Sequence, residues 1–115
     1  FKGSMINCSG LVFLPANPPA PSSIVSIQHG TTFVKTDVPS VTTSPTGGEL
    51  VASMGFVAIM PDFIGYGASA EVFHPYYDAK YSGTSIVDMI KAVKELSTKL
   101  NFPINDKLFL TGYSE

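Results

Sequence analysis

The residues with the clearest capacity for chemistry are the last four, Gly112-Tyr113-Ser114-Glu115, which follow the apolar run Leu108-Phe109-Leu110. They supply G-x-S-x of a G-x-S-x-G pattern at the end of an expected buried strand. A serine hydroxyl is a poor nucleophile until a histidine can take its proton. A sharp strand-to-helix turn would lift Oγ clear of a sheet and present it to such a base. The turn crowds the position two residues before the serine, where Gly112 has no Cβ to clash. A helix following the turn would aim its free N–H groups at the negative charge that develops in acyl transfer, with the main-chain N–H of Glu115 as one donor.

Stepping along the chain gives the elements that must position this serine. Ile6 to Leu14 reads as a strand closed by Pro15 and a proline-rich loop. Ser23 to Gln28 is a second, β-branched strand that ends on His29-Gly30-Thr31. Thr31 to Pro45 has no helical period and reads as an extended surface loop near the site. Thr46-Gly-Gly-Glu49 fits a capping box for a short helix with Leu50, Val51 and Met54 as its apolar stripe, stopped at Gly55. Phe56 to Met60 is uninterrupted apolar sequence, the mark of a strand buried on both faces.

A glycine-punctuated turn, Asp62 to Ser69, follows that strand, and then an aromatic loop, Phe73-His74-Pro75-Tyr76-Tyr77. Gly83 to Leu100 is the clearest helix: Ile86, Met89, Ile90, Val93, Leu96 and Leu100 share one face, and Lys91, Glu95 and Lys99 lie opposite. Strands alternating with helices predict an α/β class, with a mostly parallel sheet and helical crossovers. In such sheets ligands bind beyond the carboxyl ends of the strands, where His29-Gly30, Asp62 to Ser69 and Gly112 to Glu115 all fall.

Composition narrows the function classes. The chain has 115 residues, 44% hydrophobic and 14% charged, with a net charge of −2. Its mean hydropathy is +0.24. Low charge and positive hydropathy at this size read like the interior of a larger domain. Seven basic residues without a cluster argue against a nucleic-acid partner. No apolar run approaches the ~18 residues of a membrane helix. The single Cys8 allows no internal disulfide and suggests no metal site. A G-x-G-x-x-G dinucleotide loop fails because its third glycine would fall on Ala70.

The three strand ends together resemble those of an α/β-hydrolase, specifically the N-terminal portion of a secreted lipase- or esterase-type member, from about Ser9 onward. The resemblance implies a carboxylic ester hydrolase working through an acyl-enzyme, with no cofactor. Ser114 would be the nucleophile, and the oxyanion hole would be formed by the N–H groups of Thr31 and Glu115. His29, Gly30 and Gly112 support the motif. Tyr66, Phe73, His74 and Tyr113 would wall a substrate cleft. His29 is read as a structural residue of the oxyanion loop rather than a general base, and Asp62 as an anchor of its own turn. His74 either lines the pocket or stands in solvent, and Tyr66, Phe73, Tyr76 and Tyr77 either wall the cleft or cover the sheet edge.

The family's order of Ser, then acid, then His puts both partners of Ser114 after Glu115. Residues 1–115 are therefore expected to be the N-terminal part of a single domain, inactive alone and completed by the rest of the polypeptide or a second chain. Such a segment would expose its last strand and half an apolar core. A non-catalytic binding module, a peptidase and a thioesterase are the alternatives the same fold allows. The low charge and Thr/Pro-rich loops lean toward a secreted or periplasmic setting.

Overall fold

A computed structural model describes residues 1–18 and 20–115. Four strands, β1 (Gly10–Phe13), β2 (Ser22–Gln28), β3 (Val57–Pro61) and β4 (Ile104–Gly112), form one sheet in the order β1-β3-β2-β4. β2 runs parallel to both β3 and β4, while β1 is antiparallel to β3. Helix α1 (Gly48–Ser53) connects β2 to β3, and α2 (Ala79–Leu100) connects β3 to β4. The sheet is thus mostly parallel with helical crossovers, an α/β fold.

The uninterrupted apolar run forms a strand buried on both faces, shifted by one residue: all five residues of β3 are buried, Pro61 among them, while Phe56 lies outside the strand and is half-buried. Ile24, Val57, Ile59 and Val93 form the core, with Met89 and Ile90 of α2 packed against it. The stripe on α2 that faces the sheet comes from residues spaced three and four apart, so the periodicity and the packing agree. Leu100 is the exception, 56% exposed at the helix end.

Several boundaries differ from the sequence expectation. α2 starts at Ala79 rather than Gly83, because the Asp78 carboxylate accepts hydrogen bonds from the N–H groups of Lys80 and Tyr81 and caps an earlier turn. β1 is confined to Gly10–Phe13, because Ser9 turns its hydroxyl onto Asp62, 2.6 Å away. In α1 the Glu49 carboxylate does accept from the Thr46 N–H at 3.2 Å. Its apolar stripe is not the one expected: Leu50 and Met54 are exposed, whereas Gly48 and Ala52 are the buried residues. Gly48 sits so close under Phe13 that a Cβ there would lie 2.5 Å from the ring, so the helix docks through its small residues.

The Thr31 to Pro45 segment lacks regular structure, as its composition implies, but it is pinned rather than free on the surface. Val38 is buried against Phe63 and Tyr66. β4 is present but not buried: Leu108, Phe109 and Leu110 are 42%, 52% and 64% exposed. The strand lies at the sheet edge, paired with β2 among the described residues. Among those residues no helix is long and apolar enough to cross a membrane.

Candidate active site

The carboxyl ends of β2, β3 and β4 converge at one sheet edge. β2 and β4 stay in parallel register up to Gln28 opposite Gly112. Gly112 presses on Gln28 so closely that a Cβ would lie 2.9 Å from the Gln28 Cβ. Two residues later Ser114 has φ 66°, in the left-handed region that non-glycine residues avoid. Such strain persists only where surrounding structure enforces it. The Ser114 side chain stands exposed at this turn.

Gly30 meets the turn from the other side. A Cβ on Gly30 would stand 3.2 Å from the Cβ of Ser114 and 2.6 Å from the Tyr113 ring, so only a residue without a side chain lets the two loops touch. His29 is buried, its Nδ1 2.8 Å from the Gly30 carbonyl and its Nε2 3.2 Å from the Asp62 carbonyl. It therefore ties the end of β2 to the end of β3. Tyr66, also buried, donates from its hydroxyl to the Thr32 carbonyl at 2.7 Å, which fixes the main chain just beyond Thr31. Thr31 and Tyr76 meet through their hydroxyls at 3.4 Å.

The turn after β3 is held by Asp62, which has no exposed surface. Its carboxylate accepts from the Ser9 hydroxyl, the Ser40 N–H at 2.9 Å and the Ser40 hydroxyl. Asp62 anchors its turn through Ser9, whose hydroxyl accepts from the Ala68 N–H at 2.8 Å. Gly65 and Gly67, with φ 92° and 51°, give the turn its shape. A Cβ on Gly65 would fall 2.6 Å from the His74 backbone, so this glycine lets the aromatic loop lie against the turn.

His74 is engaged on both ring nitrogens. Nδ1 is 2.7 Å from the Ile64 carbonyl, and Nε2 is 3.0 Å from Oε1 of Glu115. Its ring packs on Tyr66 with centroids 4.5 Å apart. The Glu115 side chain is only 6% exposed. Burial, then the Glu115 charge and Tyr76, raises the Tyr66 phenol above its ordinary pKa. Phe73 is largely exposed and Tyr113 flanks Gly30, where a cleft of about 280 Å³ opens between His29 to Thr32 and the Thr42 to Thr46 stretch. Cys8 is exposed as a residue, but desolvation of its thiol raises its pKa, which disfavours a competing thiolate.

Of the sequence-derived candidates, Ser114, Glu115, Gly30, His29, Gly112, Tyr66, His74 and Tyr113 are thus brought to one edge, with Thr31 beside them. Phe73, in the same aromatic loop as His74, is 76% exposed. Two groups escaped sequence reading, the Ser9–Asp62–Ser40 tie and the His74–Glu115 contact. Both join residues more than twenty positions apart, for which spacing carries no signal.

No family model and no curated protein sequence matches the chain. Among solved structures, a provisionally named hydrolase from Legionella pneumophila subsp. pneumophila is 41% identical with a TM-score of 0.83, over 92% of this chain and 29% of its own. This chain has the α/β-hydrolase fold. A ligand-bound form of the rice cell wall degrading esterase LipA from Xanthomonas oryzae is 24% identical with a TM-score of 0.76, again over 92% and 29%. The chain spans about 29% of the length of the solved structures it matches.

Proposed function

We propose that this chain is the N-terminal part of a serine hydrolase that cleaves small-molecule or lipid carboxylic esters through an acyl-enzyme on Ser114. The observation that carries the reading is the strained Ser114, φ 66°, standing at the end of a parallel strand directly against Gly30. The α/β-hydrolase fold and two neighbours named as a hydrolase and an esterase support it.

On this reading the Ser114 Oγ attacks the ester carbonyl carbon while its proton passes to a histidine. The carbonyl oxygen takes up negative charge between the N–H groups of Thr31 and Glu115. Collapse expels the alcohol, which receives that proton, and water then releases the acid by the same steps in reverse roles. The histidine and its acidic partner lie beyond Glu115, in the remainder of the domain, which also covers the exposed face of β4. His29 and His74 are not the base: their ring nitrogens are already turned to carbonyl and carboxyl oxygens.

The test uses the full-length protein and a nitrophenyl ester. Ser114→Ala should abolish turnover. Thr31→Ala should change it little and Thr31→Pro should lower kcat by roughly 10²–10³, because the group that counts is the main-chain N–H. Retention of most activity by the Ser114 variant would sink the proposal.

A further inference from the structure

The contact between His74 and Glu115 has a fixed proton requirement. The Ile64 carbonyl can only accept, so the hydrogen between it and His74 belongs to Nδ1. A neutral ring with its hydrogen on Nδ1 has a lone pair on Nε2. That atom faces Oε1 of Glu115 at 3.0 Å, and a carboxylate oxygen also only accepts. One further hydrogen must stand between them, whether the pair is written as imidazolium and carboxylate or as imidazole and carboxylic acid. Without it two lone pairs oppose each other in a site where the Glu115 side chain is 6% exposed and that of His74 is 12% exposed.

The pair is also built into the frame. Ile64 belongs to the turn after β3, His74 to the aromatic loop, and Glu115 to the turn after β4. The absence of a Cβ at Gly65 lets the His74 backbone approach. Two hydrogen bonds thus run from the main chain of one strand end, through an imidazole, to the residue whose N–H adjoins Ser114. Tyr66, 4.5 Å away between ring centroids, and Tyr76, 6.2 Å away, are the other titratable groups facing the imidazole.

We propose that His74 is the positioning residue of the Ser114 turn, holding the Glu115 side chain and thereby the Ser114–Glu115 peptide, and that it does so only while the shared hydrogen is present. The inference rests on the reading of Ser114 as nucleophile and Glu115 N–H as oxyanion donor.

The experiment compares full-length wild type with His74→Phe, His74→Gln and Glu115→Gln on a nitrophenyl ester. His74→Phe should lower kcat about tenfold to a hundredfold, less than outright removal of an oxyanion donor, with KM within about twofold. His74→Gln, whose amide can donate to Glu115, should recover most of that loss. Glu115→Gln, whose amide can donate to the neutral ring at Nε2 and so keeps the contact, should lose less kcat than His74→Phe. Equal kcat for His74→Phe and wild type, or a loss in Glu115→Gln as large as that in His74→Phe, would overturn the inference.

The ring-nitrogen NMR spectrum of His74 decides the pair without turnover. A hydrogen-bonded proton at Nε2 that changes to acceptor character in Glu115→Gln supports it. A wild-type Nε2 that neither carries a proton nor accepts a hydrogen bond overturns it. If Ser114→Ala keeps its activity, the proposed function falls, while the spectrum still rules on the pair.

Discussion

Gly30 and Ser114 are in direct apposition: a Cβ added to Gly30 would stand 3.2 Å from the Cβ of Ser114. The same Cβ would overlap the Tyr113 ring at 2.6 Å, so the loop after β2 and the turn after β4 cannot both keep their places once it is there. Gly30→Ala should therefore separate the two proposed oxyanion donors. The expected result in the full-length protein is a fall in kcat/KM of roughly 10²–10³ with folding retained, read by steady-state kinetics beside a thermal melt. Kinetics indistinguishable from wild type would show that the apposition has no part in catalysis.

The φ of 66° at Ser114 costs stability that function retains. Non-glycine residues in this region are strained by about 1–3 kcal/mol, and glycine is not. Ser114→Gly should thus be inactive yet more stable than Ser114→Ala by about 1 kcal/mol. Urea denaturation of the two full-length variants measures the difference.

Asp62 ties three stretches of chain through a fully buried carboxylate that accepts from Ser9 and twice from Ser40. Asp62→Ala leaves those donors without an acceptor, and hydrogen bonds to a charged group contribute about 1.5–3 kcal/mol each. The full-length variant should be destabilised by several kcal/mol, whereas Ser9→Ala, which removes one hydroxyl, should cost less. Equal stability of Asp62→Ala and wild type in denaturant would refute the tie.

Most of the layout was legible because it follows from local rules. The run Phe56 to Met60 announced a two-face-buried strand, found one residue later at Val57–Pro61, and the three- and four-residue steps from Ile86 to Leu96 announced one helix face. The Asp78 cap was also readable, from an acidic residue before Ala79-Lys80-Tyr81, but the apolar stripe starting at Ile86 drew the helix start too late. Leu50 and Met54 misled because a short helix can dock through Gly48 and Ala52 instead of its large residues. The contacts of Asp62 with Ser9 and Ser40, 53 and 22 residues away, and of His74 with Glu115, 41 residues away, depend on the folded chain. No spacing in the sequence announces them.

Tyr66 supplies a pH dependence whose sign can be worked out. Burial and its neighbours raise the phenol's pKa on folding above the usual value of about 10. Between that value and the raised one the folded protein keeps a proton that the unfolded chain has lost. The contribution to stability is complete below about pH 10 and is lost as pH rises through the folded pKa. Denaturation midpoints of the full-length protein should therefore fall across this alkaline range, and less so in Tyr66→Phe, which also gives up the bond to Thr32 at a cost of about 1 kcal/mol. Parallel slopes for the two proteins would contradict the assignment.

The central claim is that Ser114 is an activated nucleophile. The most direct measurement is an intact-mass spectrum of the full-length protein after treatment with a fluorophosphonate, followed by mapping of the adduct. The account predicts a single adduct on Ser114 that is absent from Ser114→Ala. A folded full-length protein that stays unlabelled, or carries its adduct on another residue, would contradict it.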